Sequence, residues 1–250
     1  MSLSLDATEV SHRYGGVAAL TRVSVRVAEG SVVALVGETG SGKTTLLRSF
    51  NRLVDPSEGT VLVGGEDVRL LDPVVLRRRI GYVPQNGGLL PHWTIRRNVA
   101  LVPRLVGMED IGHVADVALQ RVGLDPRAFG ERLPRELSGG QRQRAALARA
   151  LAAKQGAILL DEPFGALDAI SRSEAHEVFE RVRHELGVTA MLVTHDLAEA
   201  ARLADTIVVM RAGVVEQAGS VDVLRGAPAS AYVRMLFDRA EAAGAALGVG

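Results

Sequence analysis

At 250 residues the chain is long enough to bury a sizeable core, and its 47% hydrophobic content is ordinary for a globular protein. Its 29 basic and 29 acidic side chains cancel, so no global field draws it to nucleic acid or anionic lipid. Without cysteine it has neither a disulfide scaffold nor a thiolate metal site. No apolar run approaches the roughly 20 residues that span a bilayer. The opening Met1-Ser2-Leu3-Ser4-Leu5-Asp6 lacks a signal-peptide pattern, so the chain reads as soluble.

In chain order, residues from about Leu3 to Gly30, with the hairpin-like Gly59–Gly65, read as an antiparallel β patch. Ser31–Val36 is short, apolar and β-branched, as a buried strand should be, and a helix begins at Thr44. Between them Gly37-Glu38-Thr39-Gly40-Ser41-Gly42-Lys43-Thr44 fits G-x-x-x-x-G-K-[ST], a phosphate cradle, and Thr45 extends it. Its glycines let successive N–H groups point inward at phosphate oxygens, and the helix start adds its positive end. Lys43 would reach the β- and γ-phosphates, and the Thr44 hydroxyl would ligate Mg²⁺. Among 29 basic residues only Lys43 and Lys154 are lysines, so a compact point charge stands where phosphate crowds the backbone.

Arg77-Arg78-Arg79 reads as a solvated helix face before a strand at Ile80–Val83. From Asn86 to Glu136 the periodicity is helical, with Ile111, Val114, Ala115, Ala118, Leu119 and Val122 on one apolar face. Leu137-Ser138-Gly139-Gly140-Gln141 opens a further helix through Leu151, and its serine and glycines form a second anion site. The strand Ala157–Leu160 ends in Asp161-Glu162 at a sheet edge where open α/β folds bind ligands. Asp161 can hold Mg²⁺ through its water shell, leaving Glu162 to act as general base on the water attacking a γ-phosphate. Two more apolar strands end at Thr194 and Met210, the latter before a turn at Ala212-Gly213, and the tail from about Glu241 reads as frayed.

The string Leu137–Gln141, taken with the cradle and the Asp-Glu pair, resembles the signature of the ATP-binding cassette (ABC) ATPases, and the resemblance covers nearly the whole chain. It implies an α/β fold: a P-loop NTPase (RecA-like) core with an antiparallel β subdomain and an inserted helical subdomain. The expected division is residues 1–85 and 148–225 for the core, 86–147 for the helical subdomain, and 226–250 for a C-terminal helix and tail. The resemblance makes Tyr14 the aromatic that stacks on adenine, in preference to a core tyrosine at a strand end. It makes Gln85 the glutamine that touches Mg²⁺ and the attacking water, Asp168 the aspartate that communicates across a dimer, and His195 the histidine that hydrogen-bonds the γ-phosphate. In this family Ser138, Gly139, Gly140 and Gln141 of one subunit, with Asp168, close over ATP held by another. One cradle and one signature then imply a homodimer or a pair with a second ABC ATPase.

The segment Asn86–Val99 is similar to the part of importer subunits that receives a short helix of the membrane permease. Leu89, Leu90 and Trp93 are candidate anchors, Trp93 reading equally well as internal packing. Gly88–Ile95, Val99–Pro103 and Phe164–Arg172 look like the osmoprotectant branch of bacterial importers, which carry glycine betaine, choline, carnitine or proline betaine. The implied partners are permease subunits and, through them, a periplasmic or lipid-anchored solute-binding protein, at the cytoplasmic face of the membrane and with no nucleic acid. Another solute, an exporter, or a non-transport ABC ATPase are the alternatives. The chain runs only to Gly250, which leaves no room for the paired regulatory modules of some members of that branch, so osmotic gating through it is not expected. Lys154-Gln155-Gly156 departs from the Asp-Pro-like turn common in the family.

Overall fold

Two kinds of strand follow from two kinds of sequence. Mixed patterns give Leu5–Tyr14 (β1) and Val17–Val27 (β2) one buried face each, whereas the unbroken apolar run Val32–Val36 (β3) is buried on both. The computed structural model describes residues 2–246, with side chains through Ala242. After β3 come helix Lys43–Ser49 (α1), strands Glu58–Val63 (β4) and Glu66–Asp67 (β5), helix Pro73–Arg79 (α2) and strand Ile80–Val83 (β6). Five helices follow: Ile95–Val99 (α3), Leu101–Leu105 (α4), Ile111–Arg121 (α5), Pro126–Phe129 (α6) and Gly139–Leu151 (α7). Strand Ala157–Asp161 (β7), helix Ala169–Leu186 (α8), strand Thr189–Thr194 (β8), helix Leu197–Leu203 (α9) and the strands Thr206–Arg211 (β9) and Val214–Gly219 (β10) lead to Val221–Gly226 (α10) and Ala231–Ala246 (α11).

The strands form an antiparallel sheet in the order β2-β1-β4-β5 and a second sheet in the order β10-β9-β3-β8-β7-β6, parallel except for β10. Side chains alternate faces along each strand. Val33 and Leu35 of β3, with Leu159 of β7, pack towards the antiparallel sheet. Ala34 and Val36 pack against α9 and α11 instead, and Ile158 and Leu160 join the core beneath α5, α7 and α8. Register then brings the strand ends together: Val36 pairs with Thr194, and Asp161 with Val193. The loops after β3, β7 and β8 therefore leave one sheet edge side by side.

The helical stretch between β6 and β7 forms as expected, with Ala115, Ala118, Leu119 and Val122 buried and Ile111 and Val114 half-buried. Helix α7 runs unbroken through the 147/148 boundary. Two expectations need correction. Leu89 packs against the core and Trp93 is half-buried under the Arg97 guanidinium, 4.8 Å from its ring; only Leu90 of the three is exposed, because an irregular loop has no period from which a face can be read. The arginine run is on α2 but is no free solvated face: Arg77 donates to the Asn51 and Arg52 carbonyls, and Arg79 pairs with Glu66 at 2.8 Å. Helix α11 continues past Glu241 to Ala246, and the last residues of the expected frayed tail, 247–250, lie outside the described residues.

Candidate active site

The loop from Gly37 to Gly42 is shaped by contacts that leave no room for side chains at two positions. A Cβ on Gly37, at φ +152°, would lie 2.0 Å from the Met210 carbonyl, and one on Gly42, at φ +99°, 2.4 Å from that of Ala19. Gly213 N–H donates to the Ser41 carbonyl and Glu38 N–H to the Tyr232 hydroxyl, which strap the loop to the β9–β10 turn and to α11. Gly40 differs: its φ is +83° and nothing lies within 4 Å of its Cβ position. Helix α1 starts at Gly42 without a side-chain cap, so its first N–H groups are open to an incoming acceptor.

Lys43 is 5% exposed and donates to the Gly37 and Glu38 carbonyls at 2.7 and 2.8 Å and to Ser41 Oγ at 3.2 Å. No carboxylate touches it. Burial lowers its pKa below the ordinary lysine value, with Glu162, Asp161 and Glu38 opposing the shift from further off. An ammonium held only by neutral oxygens is available to a stronger anion.

At the end of β7, Thr44 donates to Asp161 Oδ1 at 2.8 Å. Glu162 sits at φ +47°, a left-handed backbone that a glutamate adopts only under constraint; here its N–H is held by the Val193 carbonyl at 3.0 Å. The Glu162 carboxylate reaches Gln85 Nε2 and His195 Nδ1, both at 3.4 Å. Tyr14, Thr39, Gly40, Gly42, Lys43, Thr44, Thr45 and Glu162 line one groove of about 330 Å³. Tyr14 is half exposed at its rim, edge-on to His12.

Ser138, Gly139, Gly140, Gln141 and Asp168 are not part of that lining. Ser138 Oγ accepts from Gln141 N–H while Gln141 Oε1 accepts from Ser138 N–H, a capping box at the start of α7. A Cβ on Gly140 would lie 3.1 Å from Ser171 Cβ, so the signature packs beside the start of α8, which Asp168 caps through Ser171 N–H.

Two contacts on Asp161 escaped the sequence reading. Arg48 Nη2 lies 3.2 Å and the Tyr82 hydroxyl 3.4 Å from Asp161 Oδ2, and burial raises the Tyr82 pKa. Arg48 stands four residues after Thr44 on the same helix face, a spacing that could have flagged it. Asp161 is 3% exposed and therefore has both oxygens partnered. Among the described residues no group of three His, Asp or Glu could hold a metal alone. A hard cation here would draw on one hydroxyl, one carboxylate and the oxygens of its ligand, the pattern magnesium tolerates. Chemically the site offers an anion cradle, a buried ammonium, a hydroxyl–carboxylate pair and a second carboxylate flanked by an amide and an imidazole.

Known proteins share this architecture. The ABC transporter family profile matches residues 20–165. The glycine betaine/carnitine/choline transport ATP-binding protein OpuCA of Bacillus subtilis (strain 168) is 43% identical over 232 residues, 92% of this chain and 61% of the relative. The sulfate/thiosulfate import ATP-binding protein CysA of Mycobacterium bovis is 46% identical over 235 residues, 93% of this chain and 66% of that one. The chain thus spans about three fifths to two thirds of the length of these relatives. Among solved structures, a dimeric post-hydrolysis state of the ATP-binding cassette MJ0796 bound to ADP and Pi superposes with a TM-score of 0.77 at 32% identity, covering 87% of this chain and 98% of that one. With cradle, signature and paired carboxylates on one such fold, the chain belongs to the ABC transporter family.

Proposed function

We propose that the chain binds and hydrolyses ATP to drive a bacterial importer of quaternary-amine osmoprotectants. The observation that carries the hydrolytic part is the meeting of Gln85 and His195 on Glu162 at the rim of the groove that holds Lys43 and Thr44.

In this reading Lys43 leaves the Gly37 and Glu38 carbonyls for the β- and γ-phosphates, and Tyr14 stacks on adenine. Thr44 and Asp161, with Gln85, would hold Mg²⁺, which neutralises charge on the phosphates. Glu162 takes the proton of the attacking water as general base, Gln85 orients that water, and His195 donates to the γ-phosphate oxygen. Ser138–Gln141 and Asp168, outside their own chain's groove, would close over the nucleotide of a second cassette, so the working unit is a dimer. Among the described residues no helix is long and apolar enough to cross a membrane. Permease subunits, with a solute-binding protein beyond them, would hold the chain at the cytoplasmic face, Leu90 and Trp93 being the anchors offered to the permease.

Support for the solute comes from the similarity to OpuCA and from the segments 88–95, 99–103 and 164–172. The similarity to CysA favours a second reading, import of a sulfate-like dianion. Cells expressing the chain with its permease and binding protein separate the two when given labelled glycine betaine, choline or sulfate. Uptake of the amines that vanishes in Glu162→Gln supports the proposal; uptake of sulfate alone replaces the solute; uptake undiminished in Glu162→Gln removes Glu162 as the base.

A further inference from the structure

The chain buries a second acid–base pair that the proposed chemistry does not use. His176 of α8 is 6% exposed and Glu199 of α9 is 5% exposed, and His176 Nε2 lies 3.1 Å from Glu199 Oε2. An ionised Glu199 only accepts, which makes Nε2 the donor of this bond. The same imidazole meets the Phe164 ring edge-on, with centroids 4.7 Å apart. Phe164 follows Glu162 by two residues and Glu199 follows His195 by four, while Glu162 and His195 touch at 3.4 Å. Three contacts and two short stretches of chain close a ring: Glu162, Phe164, His176, Glu199, His195, and Glu162 again.

We propose that His176 is a positioning residue that sets the separation of Glu162 and His195. This rests on the reading of those two as the hydrolytic pair. The backbone of Glu162 is held by the Val193 carbonyl, but its carboxylate is met at 3.4 Å by Gln85 and His195, and the His195 side chain is 61% exposed, so the two side chains are held less firmly than the strands beneath them. Their backbones emerge side by side where Asp161 of β7 pairs with Val193 of β8, and beyond that register the spacing of the two side chains depends on the turns that follow, into the Phe164 loop on one side and into α9 on the other. Helices α8 and α9 also share the ion pairs Arg172–Asp196 and Arg202–Glu180, at 3.6 and 3.1 Å, but these are part-exposed and hold weakly. Arg183 of α8 also donates to the Leu203 carbonyl at the far end of α9, at 2.8 Å, and the His176–Glu199 bond is the one that joins two buried side chains. Removing the imidazole leaves a buried carboxylate without its partner, which must find water by moving α9.

The test uses the full chain with labelled histidine and no nucleotide, the His195 ring signals being assigned with His195→Gln. In His176→Leu the His195 signals are expected to move or broaden, while in His176→Gln, which keeps a donor, and in Leu76→Ala, a core truncation beneath the other sheet, they stay close to wild type. ATP turnover should fall about tenfold or more in His176→Leu with KM changed less than about twofold, and recover in His176→Gln. Unmoved His195 signals in folded His176→Leu, or equal movement in Leu76→Ala, would overturn the proposal. Should His176→Leu not fold, His176→Asn, too short to reach Glu199, is read by the same criteria. A wild-type chain without ATP turnover would end the hydrolytic reading, and the His195 signals alone would then decide whether His176 positions the loop.

Discussion

Gly40 and Gly42 are two residues apart, both have positive φ, and both line the groove, yet alanine at each should act differently. A left-handed alanine costs about 1–2 kcal/mol at either position. At Gly40, where nothing lies within 4 Å, that is the whole penalty. At Gly42 the new methyl would sit 2.4 Å from the Ala19 carbonyl and 2.9 Å from Leu20 Cδ2. The carbonyl cannot simply retreat, because Thr21 N–H is bonded to the Gly213 carbonyl at 2.8 Å, which ties this stretch of β2 to the β9–β10 turn. Overpacking of this kind adds about 1–3 kcal/mol. For a chain of this size each kcal/mol lowers Tm by about 2–4 °C, so Gly42→Ala should melt about 2–12 °C below Gly40→Ala. Scanning calorimetry without nucleotide measures the difference. Nucleotide titration then separates the roles: Gly40→Ala stays folded but binds ATP more weakly, since its methyl enters the groove. A Gly40→Ala that melts at or below Gly42→Ala would refute the assignment of the two contacts.

Lys43→Ala should abolish tight ATP binding, and calorimetric titration with retained affinity would contradict the cradle. Because burial lowers the Lys43 pKa, the unfolded chain binds more protons between that lowered value and the ordinary lysine value; stability therefore rises with pH across this window, and Lys43→Ala should lose the rise in urea unfolding. Hydrogen bonds from Ser171, its backbone N–H foremost, hold the Asp168 carboxyl below the usual aspartate range. Its contribution to the α8 cap is present above the unfolded-state value and is lost only as pH falls through the lower folded one, so carboxyl NMR should give a midpoint under that of an unstructured aspartate. Trp93→Ala should weaken co-purification with the permease while leaving ATP affinity unchanged, and undiminished co-purification would return Trp93 to packing alone.

What could be read from sequence was what the chain writes locally. The cradle lies in eight consecutive residues, of which Gly37 and Gly42 are needed by contacts at their own positions, and Asp161-Glu162 and His195 each follow an apolar run whose end fixes where they emerge. Pairings across elements left no such trace. Arg48 and Tyr82 reach Asp161 across 113 and 79 residues, and each is an ordinary choice for its helix or strand. His176 and Glu199 carry the residue types of a solvated helix face and are buried only because α8 and α9 pack together. The left-handed backbone of Glu162 is likewise set by a bond to β8, not by its neighbours in sequence. Leu89 and Leu90, adjacent in an irregular loop, part between core and solvent with nothing in either residue to say which goes where.

Lys43, Thr44 and Asp161 are already hydrogen-bonded within the protein, and this sets what a phosphate must exchange. Lys43 is bonded to loop carbonyls and Ser41, and Thr44 to Asp161, so the buried ammonium has its hydrogen bonds although no carboxylate touches it. A phosphate that takes Lys43 exchanges one set of hydrogen bonds for another, and such exchanges are nearly neutral between uncharged acceptors. The gain comes from replacing carbonyl dipoles by full negative charge, since charge-assisted bonds are about twice as strong. Each phosphate oxygen is thus weighed against a protein oxygen already in place. In the proposed reaction, affinity would fall when the terminal phosphate leaves, because the Gly37 and Glu38 carbonyls again compete for Lys43.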